Sequence, residues 1–115
     1  YDLRFPVWSR NKYNYDLLIY VANWPDKRIQ AWDCLLKARA IENLCYCLGV
    51  NRVGNDINNK SYPGHTAFFN YLGDKVACSI DQKNNIIDFE FDKQEMISIR
   101  EKLKFLNDIE DFKFQ

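Results

Sequence analysis

Hydrophobic and polar positions divide the first half of the chain into a strand, a helix and a second strand. Tyr15-Asp-Leu-Leu-Ile-Tyr-Val-Ala22 is an almost continuous apolar run, which is typical of a strand covered on both faces. After a stop at Asn23-Trp-Pro-Asp26, apolar residues recur every three or four positions from Arg28 to Leu44, the period of a helix with one buried face. Cys45 to Val50 predicts the next buried strand, and the polar residues 51–60 predict a loop.

A hairpin and one more strand are predicted downstream. His65 to Phe69 and Lys75 to Ile80 form the two arms, and Gly73-Asp74 supplies the positive φ that the turn between them needs. Another strand is predicted from Asn85 to Phe91. The chain therefore contributes several strands to a sheet.

A closing helix begins at Asp92, an N-cap residue, with Glu95 at the position that completes a capping box. It is predicted to run to about Leu106, with Met96 and Ile99 on its inner face. This order of elements describes a layered α/β domain with helices on one face of the sheet. The other face is apolar as well, so a second layer must cover it, and this chain has too few elements to supply that layer.

Composition and charge narrow the class of protein. The 115 residues suit one domain, and a hydrophobic content of 47% gives ample material for a core. Lys plus Arg equals Asp plus Glu at 16 each, so no net field collects nucleic acid or anionic lipid. The longest apolar run is well short of the roughly 20 residues that span a bilayer. Neither nucleic acid nor a membrane is expected as a partner.

The four cysteines, Cys34, Cys45, Cys47 and Cys78, lie in apolar segments without the paired spacing or accompanying histidines of a zinc site. No metal is therefore expected. Buried free thiols in a reducing cytoplasm are predicted for all four. Cys45 and Cys47 are spaced to share one face of a strand, so a vicinal redox pair is the alternative, although nothing nearby lowers a thiol pKa.

Four motifs, in order, resemble the nitrilase superfamily of carbon-nitrogen hydrolases. They are Tyr1-Asp-Leu-Arg-Phe-Pro6, the strand from Tyr15 to Asn23, the helix from Trp32 to Asn43, and Gly64-His-Thr66 with Asn70-Tyr-Leu-Gly73. Within the superfamily, the chain is most similar to bacterial omega-amidases of the YafV type. The segments that carry this similarity are Arg4 to Arg10, Val21 to Pro25 and Asn51 to Gly54.

The resemblance implies an α-β-β-α sandwich, of which residues 1–115 are the C-terminal half within a single domain. It implies that the catalytic Cys stands immediately before Tyr1, that a Glu base and a Lys lie further upstream, and that no cofactor is needed. The implied reaction converts 2-oxoglutaramate or 2-oxosuccinamate, through a Cys thioester, to the 2-oxo dicarboxylate and ammonia. The implied partners are the N-terminal half of the domain, a second copy in a homodimer, and a small-molecule 2-oxoacid amide.

Two positions of the opening motif are candidate site residues. The resemblance places the backbone N–H of Tyr1 in the oxyanion hole. Arg4 is expected to clamp the carboxylate of the substrate through two parallel hydrogen bonds. Its alternative is an ion pair with Asp2 or Asp33.

Trp24 and Arg28 are the other candidates for substrate binding. Trp24 follows a strand at its carboxyl end, where ligands bind in open α/β sheets, and forms either a wall of the acyl pocket or a packed lid. Arg28 is either a second cation for the substrate or a solvated charge. His65 is expected to make a structural hydrogen bond, with a catalytic role as the alternative. Glu42 is expected to make a salt bridge with Arg39 or an internal hydrogen bond, with acid-base catalysis as the alternative.

Two other functions remain open. One is another nitrilase-branch amidase, such as a carbamoyl-amino-acid hydrolase, because Arg4 suits any substrate that bears a carboxylate. The other is a non-catalytic fragment that acts in binding or assembly, for which the apolar sheet face predicts aggregation or obligate pairing.

Overall fold

The computed structural model describes residues 1–79, 86–111 and 113. In chain order, its strands and helices are β1 (Leu17–Ala22), α1 (Ile29–Asn43), β2 (Tyr46–Asn51), β3 (Val53–Asn55), β4 (Ser61–Pro63), β5 (Ala67–Phe69), β6 (Lys75–Cys78) and α2 (Lys93–Leu103). The main sheet has the order β1-β2-β5-β6, and β3 pairs with β4 in a separate small hairpin. The mixed α/β architecture and the hairpin formed by β5 and β6 agree with the sequence prediction.

Helix α1 covers one face of the main sheet and connects its two parallel strands, β1 and β2. Trp32, Leu36 and Ala40 are fully buried on its inner face and pack on Cys47 and Phe69 from the sheet. This segment was predicted as strand, helix and strand, and the structure confirms the order with small changes at the ends. The helix ends at Asn43, because the next residue, Leu44, has a left-handed φ of 43°.

Helix α2 lies over part of the opposite face. Its residue Met96 is fully buried beside the stacked rings of Tyr46 and Phe68, whose centroids are 5.3 Å apart. The carboxylate of Asp92 accepts a hydrogen bond from the backbone N–H of Glu95 at 2.9 Å, as the N-cap prediction requires. The backbone N–H of Asp92 donates to the hydroxyl of Tyr46 at 2.9 Å, so that hydroxyl takes the part expected of the Glu95 side chain.

Three expectations about the second half of the chain are corrected. The helices lie on both faces of the sheet and not on one. Residues 86–91 form no strand, and the Phe89 ring instead stacks on the Phe68 ring with centroids 3.7 Å apart. The predicted start of that strand at Asn85 lies outside the described residues, as does Ile80, the predicted end of the hairpin's second arm. Helix α2 ends at Leu103 because Lys104 adopts a φ of 59°, and the turn at Phe105–Asp108 follows.

An apolar strip remains exposed on the face that carries α2. It consists of Ile19, Val21 and Val50, with 53%, 81% and 38% of their surface accessible. The parallel register pairs Val21 with Val50, so the strip runs across the carboxyl ends of β1 and β2. Strand β1 is therefore not covered on both faces by the described residues, and part of the apolar face predicted to need a second layer is open.

Two of the four cysteines are not buried. Cys45 and Cys47 are buried as predicted, whereas Cys34 and Cys78 are exposed, which corrects the expectation for those two. Cys34 lies two positions after the buried Trp32 and so points away from the inner face of α1. Burial raises the pKa of the Cys45 thiol to about 12 and also raises that of Cys47, which disfavours the thiolate of both at neutral pH.

Among the described residues, no helix combines the length and the apolar character needed to cross a bilayer.

Candidate functional site

The site lies where the two parallel strands end. Trp24 follows β1 by two residues, and Asn51 is the last residue of β2. The side chain of Asn51 pairs with the backbone of Trp24 in both directions: its Oδ1 accepts from the Trp24 N–H at 2.6 Å, and its Nδ2 donates to the Trp24 carbonyl at 2.9 Å. The two strand ends are thus joined at the edge where ligands bind in open α/β sheets.

Arg4 lies directly over Trp24. Its guanidinium carbon is 5.0 Å from the centroid of the indole ring, a distance at which the ring face attracts a cation. Among the described residues, no carboxylate lies within ion-pair distance of Arg4, so the expected alternative partners Asp2 and Asp33 are not used. The structure therefore brings two predicted binding residues together, and within residues 1–79, 86–111 and 113 no carboxylate pairs with the exposed guanidinium.

A buried arginine anchors the turn that carries Arg4. Residues Asp2–Arg4 form a single 3₁₀ turn whose central residue, Leu3, is buried. Arg39 from α1 donates from Nη2 to the Leu3 carbonyl at 2.5 Å and from Nη1 to Glu42 at 3.0 Å. The Glu42 carboxylate offsets the cost of a charge that is only 3% exposed, and its predicted bond with Arg39 is confirmed.

The Trp24 side chain is held from two sides. Its indole Nε1–H donates to the Arg28 carbonyl at 2.7 Å, and its ring packs against Trp32 with centroids 5.5 Å apart. The backbone of Arg28 thus fixes the indole. The exposed side chain of Arg28 lines a cleft of about 700 Å³ together with Lys27 and Lys60.

Tyr1 is 88% exposed, and its carbonyl accepts a hydrogen bond from the Arg4 N–H at 3.0 Å. Its ring contacts that of Phe5, with centroids 4.9 Å apart. These contacts hold the backbone of Tyr1 against the turn that carries Arg4. The oxyanion-hole role of the Tyr1 N–H stays a prediction.

His65 makes structural contacts, as predicted. Its Nδ1 lies 3.0 Å from Oδ2 of Asp33, and its carbonyl accepts the indole N–H of Trp32 at 2.8 Å. Its φ of 56° places it in a left-handed backbone conformation just before β5. These bonds connect the loop before β5 to α1 through Trp32, the residue on which the Trp24 ring packs.

Comparison with known proteins decides the family. The carbon-nitrogen hydrolase family model matches residues 1–101. The omega-amidase YafV of Yersinia enterocolitica is 44% identical over 112 residues, which are 97% of this chain. This chain belongs to the carbon-nitrogen hydrolase family. The 2-oxoglutaramate amidase of Bacillus subtilis is 34% identical over 111 residues, which are 95% of the chain.

The fold of this carbon-nitrogen hydrolase chain matches solved members of the superfamily. A protein of Xanthomonas campestris with an arsenic adduct in its active site superposes on all of the chain with a TM-score of 0.93 and 36% identity. The chain spans less than half the length of each of these proteins: 46% of the Xanthomonas protein, 44% of the Yersinia protein and 42% of the Bacillus protein. The match confirms the nitrilase-type fold predicted from the sequence.

Three asparagines of this carbon-nitrogen hydrolase chain were missed as structural determinants of the site. Besides Asn51, Asn11 and Asn43 are buried, and the Asn11 N–H donates to Oδ1 of Asn43 at 2.9 Å. Nδ2 of Asn11 also donates to the carbonyls of Tyr15 and Asn43. The hydrogen bonds between Asn11 and Asn43 hold the segment after the Arg4 turn against the end of α1. In the sequence, each stands in a polar or element-terminal position where Asn most often faces solvent, so no local signal marks them.

Within residues 1–79, 86–111 and 113, no group of three or more His, Cys, Asp or Glu side chains is arranged to hold a metal ion.

Proposed function

We propose that the protein containing this chain is an omega-amidase that hydrolyses the side-chain amide of 2-oxoglutaramate or 2-oxosuccinamate. The names of the relatives that match most of the chain support an amide substrate. The observation that carries the proposal is the guanidinium of Arg4, held over Trp24 at the carboxyl edge of the sheet without a carboxylate partner among the described residues. A 2-oxoacid amide carries the carboxylate that this guanidinium lacks.

In this proposal, residues 1–115 are the C-terminal half of one domain, and the nucleophilic Cys, the Glu base and the Lys precede Tyr1. The Cys thiolate attacks the amide carbon, the nitrogen leaves as ammonia after taking a proton from the acid form of the Glu, and a thioester remains. Water, deprotonated by the Glu, then attacks the thioester, and the C–S bond breaks to release the dicarboxylate. The expelled thiolate takes back the proton from the Glu, which restores the thiol and the Glu base. The Tyr1 N–H stabilises the oxyanion of both steps, a contribution of about 3 kcal/mol.

Substrate binding is the part assigned to this chain. Arg4 pairs with the carboxylate beside the oxo group. Trp24, of which 6% is exposed, supports the Arg4 guanidinium and borders the acyl pocket, and Arg28 adds a second positive charge at its own cleft. The cleft is lined by three cations, Lys27, Arg28 and Lys60, and by one carboxylate, Asp26, and this excess of positive charge favours an anionic ligand.

The assembly proposed with this activity is a cytoplasmic homodimer. The segment before Tyr1 is proposed to pack over the exposed strip of Ile19, Val21 and Val50. Covering apolar surface of this kind contributes about 25 cal/mol per Å². An intact mass above 13.7 kDa under denaturing, reducing conditions is expected for the purified protein.

The test measures ammonia release by the full-length protein from 2-oxoglutaramate and from a neutral amide such as propionamide. Arg4→Gln is expected to lower kcat/KM for 2-oxoglutaramate by roughly 10- to 100-fold, because a hydrogen bond to a charged group contributes about 1.5–3 kcal/mol. Hydrolysis of the neutral amide should change little. Arg10→Gln, which removes an exposed arginine of the same segment, is the matched control and should leave both rates unchanged.

Two results would count against the proposal. Absence of ammonia release from 2-oxoglutaramate and 2-oxosuccinamate by the unmodified full-length protein rejects the omega-amidase activity. An Arg4→Gln variant that keeps its preference for 2-oxoglutaramate over the neutral amide rejects the carboxylate-binding role of Arg4. Activity on a carbamoyl amino acid with neither oxo-amide hydrolysed favours the other amidase branch.

A further inference from the structure

We infer that Asn51 is a positioning residue for substrate binding, which acts by fixing Trp24 beneath Arg4. The inference rests on the proposed function, because it assigns to Asn51 the geometry of the same carboxylate site. Among the described residues, Asn51 makes no hydrogen bond to the Arg4 guanidinium and does not line the cleft of Arg28. Its side chain is bonded entirely to backbone groups of two loops.

The hydrogen bonds of Asn51 use both ends of its amide. The carbonyl oxygen accepts from the Trp24 N–H, one Nδ2–H donates to the Trp24 carbonyl, and the other donates to the Gly64 carbonyl at 2.7 Å. Only 6% of Asn51 is exposed, so water cannot easily replace these partners. An amide is the side-chain group that both accepts one hydrogen bond and donates two, as this arrangement requires.

The clamp joins three segments that are distant in sequence. Trp24 comes after β1, Asn51 ends β2, and Gly64, with a φ of 86°, lies between β4 and β5. The backbone N–H of Asn51 also donates to Oγ1 of Thr66 at 3.0 Å, and the Gly64 N–H donates to the Arg52 carbonyl. Strand β2 therefore sets the position of the loop that carries Trp24.

The position of Trp24 sets that of Arg4. The indole ring, fixed by the Arg28 carbonyl and by Trp32, is the surface on which the guanidinium lies. A shift in the Trp24 backbone moves this surface and the cation above it, and a misplacement of about 1 Å costs up to about a hundredfold in rate or binding. Arg39 holds the backbone of the Arg4 turn, so only the guanidinium, which lies on the indole, depends on the position of Trp24.

Asn51→Asp is the decisive variant. It keeps the shape and the acceptor but removes both Nδ2 donations, and the matched control Asn107→Asp makes the same chemical change at an exposed turn residue. In the full-length protein, Asn51→Asp is expected to raise KM for 2-oxoglutaramate about tenfold or more while kcat falls by less than about threefold. Asn107→Asp should leave both constants unchanged. For propionamide, which has no carboxylate, Asn51→Asp should raise KM by much less than it does for 2-oxoglutaramate.

A double-mutant cycle tests whether Asn51 acts through the indole. Trp24→Phe removes the Nε1 bond and part of the ring but keeps the backbone groups that Asn51 binds. If the inference holds, Trp24→Phe raises KM on its own, and adding Asn51→Asp raises it by much less than the product of the two single effects. The cycle also serves if Asn51→Asp folds poorly, because an unchanged KM in Trp24→Phe alone overturns the inference.

The possible results distinguish failure of the proposed omega-amidase activity from failure of the positioning role of Asn51. An unmodified protein that releases no ammonia from either oxo-amide rejects the proposed function. If the unmodified protein is active, two results reject the positioning role alone. One is a folded Asn51→Asp variant with an unchanged KM for 2-oxoglutaramate. The other is a folded variant whose kcat/KM falls equally for charged and neutral amides. Normal circular dichroism of each variant establishes that it is folded.

Discussion

Replacing Gly49 by Ala tests how closely α1 lies on the sheet. A Cβ at position 49 would lie 2.3 Å from Cδ1 of Leu36 and 2.6 Å from Cζ2 of Trp32. Carbon atoms pack at about 3.5–4.0 Å, so α1 or β2 must move by more than about 1 Å. Both neighbouring side chains are fully buried and have no free space to enter. Glycine at this position is therefore what allows the helix to approach β2.

The expected cost follows from these contacts. Overpacking a dense core costs about 1–3 kcal/mol, and two close contacts place Gly49→Ala toward the upper end. Alanine recovers roughly 0.5–1 kcal/mol because it has less backbone entropy to lose than glycine in a strand. The free energy of unfolding should therefore fall by about 2 kcal/mol.

Urea denaturation of the full-length protein, monitored by circular dichroism, measures this change. The slope of the free energy of unfolding against urea concentration should be the same in the variant and the unmodified protein. Leu36→Ala should cost about 2–5 kcal/mol alone, because it leaves a cavity. In its background Gly49→Ala should cost less by at least about 1 kcal/mol, because Cδ1 and Cδ2 of Leu36 are gone. A Gly49→Ala variant as stable as the unmodified protein would show that the Cβ is accommodated without moving α1 or β2. Strict additivity in the double variant would show that Leu36 is not the side chain it meets.

Two further predictions concern buried and paired charges. Arg39→Met leaves the Leu3 carbonyl without its donor and should lower the free energy of unfolding by about 1–3 kcal/mol. The KM for 2-oxoglutaramate should rise as well, and an unchanged urea midpoint would contradict this prediction. The hydrogen bond from Lys93 to Asp16 lowers the pKa of that carboxyl, so the bond contributes stability above the usual aspartate pKa and loses it as the pH falls through the lowered value. Asp16→Asn should therefore be less stable than the unmodified protein at pH 7. The difference between their urea midpoints should shrink and vanish as the pH is lowered below about 4, and a difference that stays constant with pH would contradict this prediction.

The strand, helix and strand at the start were predictable because their apolar periods are long and unambiguous. The turn of the later hairpin was predictable from Gly73, whose φ is 87°. Residues 86–91 were not, because alternating apolar side chains indicate a buried face without specifying whether a neighbouring strand is available to pair. There the Phe89 and Phe91 rings pack on Phe68 and Tyr46 and the backbone forms no ladder.

The site was partly predictable. The motif resemblance selected Arg4 and Trp24, but only the folded chain shows that the guanidinium lies on the indole, because their proximity depends on how the opening turn docks on α1. Asn51 was missed for a related reason. Its role comes from the carbonyls of Trp24 and Gly64, which are distant in sequence and carry no sequence signal of their own.

The edge position of β1 has a consequence for handling the protein. In the described sheet, one side of β1 has no neighbouring strand, and the β-branched side chains of Ile19 and Val21 project beside the free backbone groups. An open edge with such side chains is a template for another extended chain, and β1 contains no proline and no charged residue that would oppose this. Residues 1–115 expressed on their own are therefore expected to self-associate through β1, and a lysine at position 19 or 21 is the change that would suppress it.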